Sequence, residues 1–338
     1  MDSATVPTEY TALRVIVAGD RVERSVETVP LSTLPAGDVT VRVEYSSLNY
    51  KDALSASGNR GVTREYPHTP GIDAAGTVLT STDPRHAVGA KVLCTGYELG
   101  MSVPGGFGQL IRVAGDWLVP LPGGLSTRSA MIIGTAGLTA ALSVDRLSTV
   151  SAGPELGPFV VTGASGGVGS LATLLLHRAG YSVVASTGKE RAHEFLTSLG
   201  ASRIIAREEL SRPSEKQLQR AVYGGGIDSV GGRTLVNLIN STVPGGAVAA
   251  CGLVSGVDLP ANIFPFILRG VALLGVDSQH VTHVDRVRLW DTLAKEWTLG
   301  AFNPVAAAVT EVGLVELDAV VGEMLAGAVM GRVVVRID

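Results

Sequence analysis

Hydrophobic and polar positions follow two different rhythms along the chain. Up to about residue 125 the apolar residues gather in short runs, "ALRVIVAG", "DVTVRVEYSSL", "AAGTVLTS", "AKVLCTGY" and "GQLIRVAGDWLVPLP". These runs are rich in β-branched residues and cut off by Gly and Pro, with no long helical period between them, so this half predicts a β-barrel-like domain. From Ser126 the rhythm changes. "TRSAMIIGTAGLTAALSVDRL" reads as helix, "PFVVTGA" as strand, "VGSLATLLLHRAG" as helix and "SVVASTG" as strand. Then "ERAHEFLTSLG" reads as helix, "ASRIIA" as strand, "EKQLQRAVY" as helix, "GIDSVGG" as strand and "TLVNLIN" as helix, with "GAVAACG" and "VALLGVDS" as further strands. Such alternation predicts right-handed βαβ units and a doubly wound parallel sheet. Beyond Asp277 an amphipathic helix, "VDRVRLWDTLAKEWTLG", and a strand, "GRVVVRID", return to the first style. The expected organisation is an α/β protein: a β-rich domain of residues 1–125 and 277–338, interrupted by a parallel-sheet domain over 126–276.

Composition narrows the class. A length of 338 residues suits about two domains, and 46% hydrophobic residues with 42 glycines and no long polar tract fit an enzyme-sized globule. The net charge is −4, and Lys and Arg are scattered, so neither a nucleic acid nor an anionic membrane is an expected partner. "MDSATVPTEYTALRV" lacks a basic stretch followed by an apolar one, and no run of about 18 apolar residues follows, so the expectation is a cytoplasmic protein. Cys94 and Cys251 each sit inside an apolar run, which predicts buried, reduced thiols.

The stretch "PFVVTGASGGVGSLATLLLHRAG" carries the most chemistry. A strand runs into Gly163, Gly166, Gly167 and Gly169, and a helix follows at once. Glycines at that junction let the backbone approach a pyrophosphate, whose charge meets N–H groups at the positive end of the helix. Gly163, Ser165, Gly166, Gly167 and Val168 are the candidate contacts. About twenty residues on, where a carboxylate would hold the ribose hydroxyls of NAD, the chain has Ser186, Thr187, Gly188 and Lys189. Hydroxyls, exposed backbone and an ammonium welcome a 2′-phosphate, so NADPH is the expected cofactor, with Thr187, Gly188, Lys189 and Arg207 around the phosphate. The alternative is that Lys189 only opens the next helix as a solvated lysine.

With these residues in place the chain resembles the medium-chain dehydrogenase/reductase superfamily, whose β-rich, GroES-like catalytic domain is interrupted by a Rossmann domain. "SSLNYKDAL", "PHTPGIDAAGTV", "GGFGQLIRV", "GTAGLTAALSV", "VTGASGGVGS" and "FPFILRGVALLGVDS" carry the resemblance, which runs from about Leu13 onward and is most specific to the acryloyl-CoA reductase and quinone oxidoreductase branch. It implies NADPH-dependent reduction of the C=C bond of a short α,β-unsaturated acyl-CoA. A quinone or enone oxidoreductase and a non-catalytic NADPH-binding protein are the alternatives. It also implies a homodimer through the strand "VALLGVDS", and Leu253, Ile267 and Ser278 lining the nicotinamide half of NADP.

Zinc-dependent relatives place a Cys within 46–52, a His-Glu pair within 71–76 and a lobe of four cysteines. Here Leu48-Asn49-Tyr50 and Gly71-Ile72-Asp73 stand in the first two places, and two distant cysteines cannot build the third, so no zinc is expected. His68, between two prolines, reads as a structural loop histidine. Asp73 reads as a buried, hydrogen-bonded carboxylate. Tyr50 and Asn49 are the candidate catalytic residues. By the resemblance, the Tyr50 phenol packs on the nicotinamide, donates to a carbonyl or enolate oxygen, or relays a proton, and Asn49 holds a ribose or amide group or steadies the turn. Lys51 reads as a solvated lysine and Asp52 as the N-cap of a short helix "DALSASG". Arg60, Arg64 and Arg269 are cations available to a CoA phosphate.

Overall fold

The computed structural model describes residues 7–150, 152–214 and 216–338. It divides into two compact units, one of Met1–Thr135, Gln279–Leu299 and Val309–Asp338, the other of Ala136–Ser278 and Gly300–Ala308.

In the first unit, strands β1 (Glu9–Ala18) and β2 (Arg21–Pro30) form an antiparallel hairpin. Strands β3 (Val39–Leu48), β4 (Asp73–Ser81), β5 (Lys91–Thr95), β6 (Leu110–Val113) and β7 (Val119–Pro120) join β14 (Thr310–Gly313) and β15 (Val333–Arg336) in one sheet. Its path runs β14-β15-β3-β4-β5-β7, with β6 also on β3. Val39, Val41 and Val43 enter the core while Arg42 between them is exposed, the alternation that a half-buried strand requires. Near its end β3 shifts register against β4 between Val43 and Tyr45. Such an irregularity bends a strand and re-aims its side chains; beyond it Ser46, Ser47 and Leu48 are all buried. There β15 pairs antiparallel with β3, Val333 opposite Leu48 and Val334 opposite Ser47.

In the second unit, β8 (Phe159–Val161), β9 (Val183–Thr187), β10 (Ala201–Ala206), β11 (Tyr223–Asp228), β12 (Thr242–Ala250) and β13 (Ala272–Gly275) form a six-stranded parallel sheet in the order β10-β9-β8-β11-β12-β13. This is the doubly wound sheet that the alternating pattern predicted. The chain reverses its winding direction between β8 and β11, and ligands of such sheets bind beyond the carboxyl ends of the strands at that point.

Two elements differ from expectation. No helix forms at "EKQLQRAVY": Glu215 lies outside the described residues, Lys216–Val222 are irregular, and Tyr223 already belongs to β11. Tertiary bonds claim that backbone. Gln219 and Val222 donate N–H to the carbonyls of Asn240 and Ser241, while Arg269 donates to the Gln219 carbonyl. The long helix Thr127–Thr149 is broken at Gly134, whose φ of 53° and ψ of −162° are non-helical. By length and hydropathy it could cross a membrane, but 78% of its apolar window is buried inside the fold, which marks a core helix.

Candidate functional site

A buried polar cluster gathers in the first unit at the end of β3. Asp73, the first residue of β4, is fully buried and accepts four hydrogen bonds. Its Oδ2 takes the Ser47 hydroxyl at 2.6 Å, Asn49 Nδ2 at 2.8 Å and the Thr135 amide at 2.9 Å, while Oδ1 takes the Thr135 hydroxyl at 2.5 Å. Arg332, immediately before β15, is 2% exposed and donates from Nη2 to Ser47 Oγ at 2.8 Å, from Nη1 to Asn49 Oδ1 at 3.2 Å and from Nε to the Ile132 carbonyl at 2.8 Å. The pairing of β15 with β3 dictates this: one residue beyond Val333 opposite Leu48, Arg332 comes level with Asn49.

Gly134 makes the cluster possible. Its backbone sits in the left-handed region, and a Cβ there would stand 2.6 Å from Asp73 Oδ2 and 2.7 Å from Arg332 Nη2. Because the helix breaks at this glycine, the next amide, that of Thr135, is left to donate to Asp73.

Asp52 corrects the expectation of an N-cap. The short helix is Tyr50–Ala56, its N-cap is Asn49, and Asp52, three residues on, closes a capping box by accepting the Asn49 N–H at 2.8 Å. Its other oxygen accepts the amides of Gly71 at 3.1 Å and Ile72 at 2.8 Å, tying the helix to the segment before β4. Burial, and then the negative charge of Asp73, push the Asp52 carboxyl up to about 7. Lys51 also differs from expectation: it is half-buried, and its ammonium donates to Gln279 Oε1 at 2.7 Å. Tyr50, the first helical residue, is half-buried beside this cluster, and both ends of the Asn49 amide are engaged. Asp73 is the buried, hydrogen-bonded carboxylate that the sequence suggested, and His68 is buried in its loop.

A zinc ion does not fit these donors. Both Asp73 oxygens are occupied by hydroxyl and amide donors, and the guanidinium of Arg332 shares their partners, a neighbour that repels a divalent cation. Among the described residues no three of His, Cys, Asp and Glu come together as a metal set. Cys94 is fully buried and Cys251 half-buried, both free, and burial pushes both thiols up to about 12.

The second unit carries the glycine loop. Between β8 and the helix Gly167–Arg178 the chain turns through Gly163 and Gly166, the N-cap. A Cβ on Gly169 would stand 2.2 Å from the Gly163 carbonyl oxygen, so the helix packs against the loop only because the residue has none. Gly167 and Val168 lie in the first turn, where helical N–H groups lack intrahelical acceptors. Ser165 accepts the Thr187 hydroxyl at 3.0 Å, linking the loop to the end of β9. Thr187 Oγ1 in turn accepts the Lys189 amide at 3.1 Å, and the Arg207 amide donates to the Thr187 carbonyl. An added Cβ on Gly188 would lie 2.8 Å from the Arg207 side chain. Burial and the nearby Arg191 lower the Lys189 pKa, so Lys189, Arg191 and Arg207 crowd cations around one polar corner. At the end of β11, buried Asp228 accepts the Thr162 hydroxyl and the Gly231 amide, both at 2.7 Å, which fixes the loop opposite. Leu253 and Ile267 are 55% and 64% exposed, which removes a core role for them, and Ser278 accepts the Thr139 hydroxyl at 2.7 Å.

The sequence-derived residues thus fall into two groups, Asn49 and Tyr50 in the first unit and the remainder in the second. Ser47, Thr135, Arg191 and Arg332 were missed. Only the pairing of β15 with β3 could have revealed Arg332, whereas Arg191 stands two residues after Lys189 and was legible as a second cation.

Two family models cover most of this ground. Residues 35–123 match the alcohol dehydrogenase GroES-like domain, and residues 167–294 match the zinc-binding dehydrogenase family. The chain is 44% identical over 318 residues to acrylyl-CoA reductase AcuI of Ruegeria pomeroyi, covering 94% of this chain and 96% of that one. The chain belongs to the medium-chain dehydrogenase/reductase superfamily. A protein of Escherichia coli named "Probable acrylyl-CoA reductase AcuI" is 47% identical over 93% of this chain and 95% of its own length. "Putative quinone oxidoreductase YhfP" of Bacillus subtilis is 43% identical over 98% and 99%. Among solved structures, E. coli YhdH with bound NADPH superposes with a TM-score of 0.93 at 45% identity, covering 97% of this chain and all of that one. B. subtilis YhfP, solved with NAD, gives 0.90 at 43% identity, covering 98% of this chain and all of that one.

Proposed function

We propose that this protein uses NADPH to reduce the C=C bond of a short α,β-unsaturated acyl thioester such as acryloyl-CoA, without zinc. The observation that carries the reading is the Asn49–Asp73–Arg332 cluster, whose carboxylate oxygens are already engaged by hydroxyl and amide donors beside a guanidinium, a setting that disfavours a zinc ion. Identities of 44% and 47% to acrylyl-CoA reductases support it. The residues fit the cofactor. Gly163, Ser165, Gly166, Gly167, Val168 and Gly169 would take the pyrophosphate, and Thr187, Gly188, Lys189, Arg191 and Arg207 the 2′-phosphate.

Bound NADPH supplies the hydride that adds to the β-carbon. The thioester carbonyl oxygen then carries enolate charge, which hydrogen-bond donors of the catalytic unit stabilise, and collapse of the enolate takes a proton from a water molecule onto the α-carbon, leaving hydroxide that the solvent neutralises. We assign the donor at that oxygen to the Tyr50 phenol, and to Asn49 the positioning of Tyr50 through its N-cap bonds. Two carboxylates and one guanidinium, all buried, hold this turn rigid while water stays out of it.

NADPH consumption tests the reading, measured against acryloyl-CoA, crotonyl-CoA, free enones and quinones with NADH as control. Turnover of thioesters with NADPH is expected. Tight NADPH binding with no turnover overturns the enzyme reading, and turnover of quinones alone supports the second reading, quinone reduction, which the YhfP identity favours.

The open edge of the sheet at β13 and the exposed Val254, Val257 and Leu268 support a homodimer paired through that edge. Light scattering at a single-chain mass would overturn it. The proposed compartment is the cytoplasm, where NADPH and acyl-CoA substrates meet.

A further inference from the structure

We infer that a cleft within the first unit seats the pantetheine arm of the thioester, with His68 accepting one of its amide N–H groups; this rests on the thioester reading above. The cleft encloses about 720 Å³. An acryloyl group of a few heavy atoms displaces only about 100–150 Å³ at roughly 30 Å³ per water-sized group, so the acyl end alone would leave most of this space to solvent.

The lining narrows the occupant further. Lys51 and Arg64 are matched in formal charge by Glu65 and Glu98, so the cleft is no phosphate trap. A polar row runs along it. Lys51 Nζ donates to Gln279 Oε1 at 2.7 Å, and Gln279 Nε2 donates to Glu98 Oε1 at 3.3 Å. Apart from Ser102, whose hydroxyl donates to Glu98, the lining is otherwise apolar at Val62, Pro67, Met101 and Pro104. Amides separated by short hydrocarbon spans match that alternation, and the pantetheine arm has that make-up and no charge.

His68 supplies the discriminating group. It lines the cleft at 5% exposure, and Nε2 has no hydrogen-bond partner among the described residues. Burial lowers the pKa to about 4, so the ring is neutral, and the Gly100 backbone, which opposes that shift, favours the proton on the other ring nitrogen. With the proton on that nitrogen, Nε2 is a bare acceptor. An amide N–H satisfies it; a quinone or a phosphate, which present acceptor oxygens, does not. The Lys51 ammonium, with three N–H donors and one of them on Gln279, has donors for the arm's amide carbonyl.

The test compares S-acryloyl derivatives of CoA, pantetheine and ethanethiol on the wild type, His68→Leu, His68→Gln and Lys51→Met. Wild-type kcat/KM is expected to be similar on the first two and about 100-fold lower on the ethanethiol ester, mostly through KM. His68→Leu should narrow that gap to about 10-fold, His68→Gln, which keeps an acceptor, should restore most of it, and Lys51→Met should narrow it independently of whether His68→Leu folds. A gap that no variant narrows, or losses equal on all three esters, overturns the inference. Calorimetry with S-propionylpantetheine separates the two readings. Binding that weakens about 10-fold in His68→Leu, with no thioester reduced by the wild type, sinks the proposed reaction and keeps the seat. Reduction of all three esters at equal efficiency sinks the seat and keeps the reaction.

Discussion

Arg332 donates to Asn49 across 283 residues of sequence, and Asn49 passes the connection on to Asp73 at 2.8 Å. One guanidinium therefore offsets two buried carboxylates, Asp52 and Asp73, at the start of the helix that carries Tyr50. Removing it should be costly. Arg332→Leu is expected to lose about 3–5 kcal/mol of stability, because an uncompensated carboxylate is then left in the interior. Denaturant unfolding measures the loss, and pairing the change with Asp73→Asn should recover part of it. A loss below about 1 kcal/mol would show that the carboxylates find other partners.

Gly134→Ala attacks the same cluster by shape alone. The added methyl would lie 2.6 Å from Asp73 Oδ2 in a left-handed backbone, so a loss of at least about 2 kcal/mol is expected. Unchanged thermal unfolding would contradict the tight approach.

The Asp52 carboxyl, raised to about 7, makes stability depend on pH with a definite sign. A carboxyl whose folded pKa lies above its unfolded one favours the fold most at low pH. That contribution is full below about 4 and fades as pH rises through about 7, up to about 4 kcal/mol in all. Relative to Asp52→Asn, the wild type should therefore lose stability between pH 4 and 7 and stay level above it. Parallel curves for the two proteins would show that Asp52 is ionised throughout.

We propose that Lys189 and Arg207 set the cofactor preference. Lys189→Ala is expected to weaken NADPH binding about 10-fold and to leave NADH unchanged, since only NADPH carries the 2′-phosphate. Fluorescence titration of both cofactors reads this directly, and equal effects on the two would move Lys189 away from the phosphate.

Tyr50→Phe removes one oxygen from the helix start. As a donor to the developing enolate, Tyr50 should be worth about 10–100-fold in kcat with little change in KM. Full activity in the variant would confine the residue to packing.

The doubly wound sheet was legible because its signals are local: apolar runs of strand length, glycines at a strand–helix junction, helical periods between them. The proposal for Lys189, just past the end of β9, rests on the same kind of signal, since it depends only on the distance from the glycine loop. The Arg332 side of the site was not legible. "GRVVVRID" shows an arginine before an apolar strand, and nothing local tells a buried guanidinium from a surface one. Asp52 was read as the N-cap and is instead the third helical residue, closing a capping box on Asn49, because a carboxylate spaced for capping looks the same whether solvent or Gly71 and Ile72 amides surround it. The helix expected at "EKQLQRAVY" failed for the opposite reason: the local preference was present, and bonds to Asn240, Ser241 and Arg269 overrode it.

The 283-residue span between Asn49 and Arg332 also bears on how the protein is born. A ribosome adding about 5–20 residues per second delivers Asn49, Asp52 and Asp73 tens of seconds before the arginine they await. Throughout that interval the whole parallel sheet is made while two carboxylates lack their counter-cation, so the first unit should lock only once Arg332 has been added. A nascent chain stalled just short of Arg332 is expected to carry a folded nucleotide unit beside a protease-sensitive first unit, which the pairing of β15 with β3 then completes.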